Sequence, residues 1–257
     1  MSEVGLRGIS ALGFFVLLGV AWLSSTQRSR IDRRTIFLGV LIQVGLAVIL
    51  LWPPLRAILF PAVEVPVGLL IEWTHAGTSF VFGPLLDSGY TFALGVLPII
   101  IFMGSLFGVL YHLGIIQPIV RLLARALSRG MRLSGVEGLA AVANIFVGMI
   151  ESGIVIRPYL ARMTRSELFS FMVLGMSTIA GSVMVTYIKI LGGGDFAGHL
   201  LVASLISAPA ALVVAKIMVP ETETPVTFGE MPDLEASTAH NVIDAAAEGG
   251  IAGMKLA

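Results

Sequence analysis

In the run GLAAVANIFVGMIESGIVI, residues 138–156, Glu151 is the only charge. A charged side chain at mid-bilayer costs about 2.5–3.5 kcal/mol on insertion scales. A carboxylate kept at that depth needs a partner, a watery cavity or a ligand that hydrogen-bonds it. Two readings stand: Glu151 lies at the interface, solvated or paired with Arg157, or it contacts a ligand or ion. Gly148 and Gly153 beside it supply the backbone freedom of a hairpin tip, where Asn144 and Ser152 would also gather. The segment SELFSFMVLGMSTIAGSVMVTYIK has a matching oddity. It carries Gly175, Ser177, Thr178, Gly181 and Ser182 in the middle of an uncharged stretch, 168–188. Small polar residues at that depth either let helices pack closely or mark a broken helix whose freed carbonyls and hydroxyls coordinate an ion. Hard cations such as sodium take oxygen ligands, which freed carbonyls with the Asn144 and Thr178 side chains could supply.

Elements of membrane length must carry these residues. The chain has 257 residues, 56% of them hydrophobic and 12% charged, against about 25% charged in an average soluble domain. The shortfall lies in long uncharged runs, so the fold class is an all-α polytopic membrane protein. Spans are expected at 8–24, 36–52, 92–116, 168–188 and 196–219, each close to the roughly 20 residues that cross about 30 Å of hydrocarbon. The start, MSEVGLRGISALGFFVLLGVAWLSS, could be a signal peptide. Its first residues hold one acid and one base, and no A-x-A site follows, so it reads as a first membrane helix. With 16 basic and 16 acidic residues, nothing points to nucleic acid. The lack of Cys excludes disulfides, iron–sulfur clusters and zinc–thiolate sites.

Orientation follows from the arginines. The loop SSTQRSRIDRR, with Arg28, Arg30, Arg33 and Arg34, is expected in the cytoplasm and the N-terminus outside. The connection 53–91 sets Arg56 against Glu64, Glu72 and Asp87. It belongs outside, with Trp73 and Phe80 suggesting a helix on the outer interface. In QPIVRLLARALSRGMR, Arg121, Arg125, Arg129 and Arg132 form one cationic helical stripe, which suits an interfacial helix better than a basic loop. The run 138–156 has Arg129 and Arg132 before it and Arg157, Arg162 and Arg165 after it, so both flanks prefer the cytoplasm. A re-entrant hairpin satisfies both, with its tip covered by protein or a watery cavity. Gly104 and Gly108 are spaced for helix packing, with lining of a substrate path as the alternative. GGGDFAGH reads as a turn. No nucleophile–base pair can be assembled, so no enzyme is expected.

The residues AVANIFVGMIES, followed by IRPYLARMTRSELFSFMVLGMSTIAGSV, resemble the concentrative nucleoside transporter family. Its usual pattern is ANIF, a hydrophobic residue and GQTEA, then RPY, MTRSEL and (S/T)IAGSV. HNVIDAAAEGGIAGMKLA is similar to the linker into that family's second half. The resemblance covers nearly the whole chain and is strongest over 135–183. It implies scaffold helices plus two inverted repeats, each with a re-entrant hairpin and a broken helix, assembled as homotrimers that couple nucleoside uptake to sodium or protons. The division it suggests is 1–117 for the scaffold, 118–219 for the first repeat and 220–257 for a polar cytoplasmic linker.

Carried over by position, Gly148 and Glu151 fall around the nucleobase, with Val183 as an apolar neighbour. Asn144, Val147, Thr178 and Ile179 fall at the sodium site. Met149 and Ile150 stand where the family commonly has Gln and Thr, so base recognition must differ. Glu151 can accept bonds when ionised or donate one when protonated. The family continues into a second repeat, whereas this sequence ends at Ala257. A fragment, a truncated product or half of a split transporter is therefore expected. A second chain would complete it, and the alternative is a non-transporting subunit that oligomerises with a partner.

Overall fold

The computed structural model describes residues 3–88, 94, 96–146, 148–192, 196–232 and 239–256. In chain order the helices are α1 (Glu3–Leu23), α2 (Arg33–Leu50), α3 (Pro53–Phe82), α4 (Leu97–His112), α5 (Ile116–Met131), α6 (Gly135–Phe146), α7 (Met149–Leu160), α8 (Arg165–Ser177), α9 (Gly181–Ile190), α10 (Ala197–Met218) and α11 (Val242–Leu256). The all-helical expectation holds. By length and composition Arg33–Leu50, Pro53–Leu86 and Ala197–Met218 can each cross a membrane. α10 is the central one. Its Ala208, Ala211, Leu212 and Val213 are buried against Ala21, Met131, Ala141, Ile145 and Leu174. α2 and α3 instead leave Phe37, Val48, Ile58 and Phe80 exposed, a surface suited to lipid rather than water.

α2 begins at a capped turn. The Asp32 carboxylate accepts from the Arg34 N–H at 2.9 Å and the Thr35 hydroxyl at 2.8 Å. Burial alone would push this carboxyl up. The bonds from Thr35 and from the Arg34 and Thr35 backbone, with Arg132 nearby, outweigh it and hold the group below its ordinary value. A carboxyl depressed in the folded state stabilises fully at neutral pH and loses that contribution as pH falls through its folded value. Asp32→Ala should therefore lower stability at pH 7 by about 0.5–2 kcal/mol. The deficit, read from unfolding midpoints, should shrink in acid.

The segment expected on the outer interface is one continuous helix, α3, of 30 residues. Pro53 and Pro54 open it, where the first N–H groups need no partner, and Pro61 and Pro66 lie inside it. Its Arg56 guanidinium sits 4.8 Å from the Phe60 ring centroid, and its Nη2 is 3.4 Å from His199 Nε2 in the first turn of α10. Gly198 makes room for the Phe60 ring, where a side chain would collide with it. Part of GGGDFAGH is thus the start of α10, while Gly193, Gly194 and Asp195 lie outside the described residues.

α4 and α5 meet at an angle of 83°, around Gly114, whose φ is +75°. α5 buries Ile116, Val120, Ala124, Ser128 and Met131 on one face. Gly138 of α6 approaches so closely that a Cβ there would collide with Ser128.

The tail, expected as a polar linker, is docked on the rest of the chain. Gly135 N–H donates to Thr227 O at 2.9 Å, and Ser134 pairs with Phe228 in an isolated antiparallel bridge. α11 lies along α4, with Gly104 and Gly108 facing Ala245, Gly249 and Gly253. The packing face read from Gly104 and Gly108 is real, and its partner is that tail. Polar content gave the tail a loop-like look, while the small residues at helical spacing in α11 carry its packing.

Candidate functional site

α6 starts in a reciprocal cap: Glu137 N–H donates to Ser134 Oγ at 3.3 Å, and Ser134 N–H to Glu137 Oε2 at 3.2 Å. The helix is buried from Gly135 to Ile145 and ends at Phe146. Gly148 then takes φ 98° and ψ 177°, a region essentially reserved for glycine. That conformation reverses the chain into α7, whose first bond runs from Ser152 N–H to Gly148 O at 2.9 Å. α6 and α7 therefore form a helical hairpin with Gly148 at its tip, while Gly153, the other glycine expected there, lies within α7.

α8 opens with a second reciprocal cap, Thr164 with Glu167. It ends at Ser177, and Thr178 and Ala180 are extended before α9 begins. Both meanings of the small polar residues are met: the helix is interrupted at Thr178–Ala180, and Gly175 and Gly181 admit close packing. The break faces the hairpin. Asn144, 2% exposed, donates from Nδ2 to Leu174 O at 2.9 Å and to Thr178 Oγ1. Thr178 Oγ1 itself donates to Leu174 O at 3.1 Å. Gly181 lies against the Phe146 carbonyl and the Phe107 ring, with no room for a Cβ. Met149, at the hairpin tip, lies on Gly175 in the same way. Ser204 Oγ donates to Ile179 O at 3.3 Å.

Asn144, Gly148, Met149, Thr178 and Ile179 are thus brought together where the hairpin tip meets the break. Val183 is half-buried in the first turn of α9. Val147 lies outside the described residues, as do the side chains of Ile150 and Glu151. The Glu151 main chain is in the first turn of α7, where a helix N-terminus favours negative charge. With the Asn144 amide nitrogen committed, its oxygen is the acceptor left, beside the Thr178 hydroxyl and the carbonyls around the break. Oxygen donors of this kind fit a hard cation. Among the described residues no group of three or more His, Asp or Glu converges as a metal-ligand set.

Sequence reasoning missed a buried polar cluster beneath the hairpin. Lys216 Nζ is 2.6 Å from Glu137 Oε1, with the two side chains 8% and 1% exposed. The ammonium also reaches Ser166 Oγ at 2.9 Å and Glu221 Oε2 at 3.4 Å, and Thr164 Oγ1 donates to Glu221 at 2.8 Å. The signals were available: a lone Lys in an apolar span, and two Ser/Thr-x-x-Glu caps.

A helical hairpin whose tip abuts an interrupted helix, on a scaffold of membrane-length helices, is the architecture of secondary membrane transporters. Residues 12–85 match the family described as Na+ dependent nucleoside transporter N-terminus, 93–194 the gate family described as nucleoside recognition, and 199–257 the Na+ dependent nucleoside transporter C-terminus. The chain belongs to the concentrative nucleoside transporter family.

It is 44% identical to the Bacillus subtilis transporter YutK over 96% of this chain and 61% of that protein. It is 35% identical to the Helicobacter pylori nucleoside permease NupC, over 96% of this chain and 60% of that protein. The human solute carrier family 28 member 3 is 36% identical, over 96% of this chain and 36% of its own length. The structure of CNTnw in an inward-facing substrate-bound state is 38% identical, with a TM-score of 0.85 over 96% of this chain and 59% of that one. The chain therefore spans about 60% of the bacterial relatives' length.

Proposed function

We propose that this chain forms the scaffold and first repeat of a nucleoside importer of the cytoplasmic membrane, coupled to sodium in preference to protons. The observation that carries the reading is the contact of Asn144 with Thr178 and the Leu174 carbonyl, which joins the hairpin to the helix break. Asn144, Val147, Thr178 and Ile179 hold the ion. Gly148, Met149, Ile150, Glu151 and Val183 face the nucleobase. Met149 and Ile150 give it apolar contact, and Glu151 is the polar group that reads its edge. The hairpin is re-entrant from the cytoplasm, so all the arginine flanks stay on one side.

The same charge argument lays α3 on the outer interface although its length would let it cross. A crossing α3 would put the arginine stripe of α5 on the face opposite the Arg28–Arg34 loop, against the positive-inside preference. We keep the division at 117, in the first turn of α5, and at 219, just past α10, as part of the proposal. The working assembly is a homotrimer, with the remaining length of the relatives supplying the second repeat.

The test reconstitutes this chain in proteoliposomes with the second repeat of a relative supplied as a separate chain. Uptake of labelled uridine or adenosine is followed with and without an imposed sodium gradient. Gradient-dependent uptake is expected, and Glu151→Gln should cut its initial rate at least about tenfold. Absence of any gradient-dependent uptake by a folded, reconstituted pair would leave the non-transporting subunit as the better account.

A further inference from the structure

We propose that the arginine flank of α5 is a binding site for the phosphate of an anionic, phosphatidylglycerol-type lipid headgroup; this rests on the membrane reading above but not on transport. α5 has three distinct sides. One, along Ile116, Val120, Ala124, Ser128 and Met131, is buried in the protein. The next carries Arg121, Arg125, Arg129 and Arg132. The third exposes Ile119, Leu122 and Leu123, at 46%, 65% and 38%. At about 100° per residue these are three separate stripes. Because α5 bends 83° from α4, it runs across the end of a membrane-directed helix. That orientation lets the third side meet acyl chains while the arginine side meets headgroups.

The arginine side is a walled groove. Arg125, Arg129 and Arg132 line a cavity of about 560 Å³ together with Glu230 and Met231. Its far wall is the Phe228–Met231 strap, pinned by the Thr227 bonds to Gly135 and Val136 at 2.9 and 3.2 Å. Arg132 caps α5 in the left-handed region at φ 57°, and it also acts on the Asp32 carboxylate. Among the described residues, Arg125 and Arg129 have no carboxylate within 4.0 Å. Among the described residues, Glu230 is the acid that lines this cavity beside Arg125, Arg129 and Arg132. Planar guanidinium forks match phosphate oxygens in pairs, and basic pockets beside membrane helices on the cytoplasmic side hold anionic headgroups. A headgroup seated here would clamp α5 to the strap that holds the entry of the α6–α7 hairpin.

The experiment measures lipid retained on the purified intact protein, by native mass spectrometry, after exposure to phosphatidylglycerol or phosphatidylcholine of identical acyl chains. The unmodified protein should retain phosphatidylglycerol at least about tenfold better. A variant with Arg125→Gln, Arg129→Gln and Arg132→Gln should lose that preference, while Arg30→Gln should keep it. Millimolar inorganic phosphate should not displace the lipid. Equal retention of the two lipids by the unmodified protein overturns the proposal whatever the variants do. So does a preserved preference in the triple variant, or full displacement by free phosphate, which would make the groove a site for soluble anions. No nucleoside or gradient enters the assay, so failure of the transport reading leaves its outcome unaffected.

Discussion

Lys216→Met should destabilise the protein by about 3–5 kcal/mol, the range for removing one partner of a buried ion pair. The ammonium it deletes lies 2.6 Å from a Glu137 carboxylate that is 1% exposed. It also bridges Ser166 on α8 and Glu221 beyond α10. Without it, the donor left to Glu137 among the described residues is the neutral Ser134 N–H at 3.2 Å. The penalty comes from leaving that charge uncompensated, so it should shrink when the charge is also removed. Glu137→Gln with Lys216→Met should be milder than the sum of the two single changes by at least about 1 kcal/mol. Unfolding midpoints of the four proteins in one detergent provide the cycle. Additive single effects would mean that the ion pair is not coupled in the way its geometry requires.

That cluster also shows where a linear reading stops. Periodicity and charge flanks are local signals: they located α2 and the stripe of α5 and placed a hairpin between the arginine flanks with Gly148 and Gly153 at its tip, while the interruption at Thr178–Ala180 was one of two readings of its residues. Gly148 could be found because reversing a helix in so little chain demands a backbone that only glycine takes cheaply. The break was legible only as one of two readings, because glycines and hydroxyls at that depth also serve close helix packing. The partner of Lys216 was hidden because pairing across distant helices leaves no periodic trace. A cap such as Ser134-x-x-Glu137 also offers its carboxylate a sufficient local role.

The continuous α3 was obscured by its own chemistry. Arg56, Glu64 and Glu72 look like surface charges, yet Arg56 is engaged by Phe60 and His199. At the candidate site, the proximity of Asn144 to Thr178 followed from reading both as oxygen ligands of one ion. The contact of Met149 with Gly175 did not, because it depends on how closely the hairpin lies on α8.

Gly249→Leu should release α11 from α4, the largest structural change expected from one substitution outside the hairpin. A Cβ on Gly249 would strike the Gly104 carbonyl and come within 3.2 Å of Gly108 Cα. Reciprocally, a Cβ on Gly108 would meet Ala245 O and lie 3.2 Å from Gly249 Cα, and one on Gly253 would lie 2.7 Å from Ile100 O. Each obstacle is main chain, which cannot swing aside as a side-chain tip can. The cost should therefore exceed the about 1–3 kcal/mol of ordinary core overpacking, and it is relieved only by separating the helices.

A Cβ on Gly250 would lie 2.7 Å from Ser105 Oγ, and the chain has no native Cys. A Ser105→Cys, Gly250→Cys pair is therefore a clean reporter, because two such positions are within disulfide reach only while the helices touch. Oxidation should cross-link the reporter protein nearly completely, and adding Gly249→Leu should abolish the link. Gly13→Ala in α1, where nothing lies within 4 Å of the added carbon, should be neutral or stabilising by up to about 1 kcal/mol. Cross-linking that survives Gly249→Leu would show that the two helices are held by something other than the close approach of their backbones.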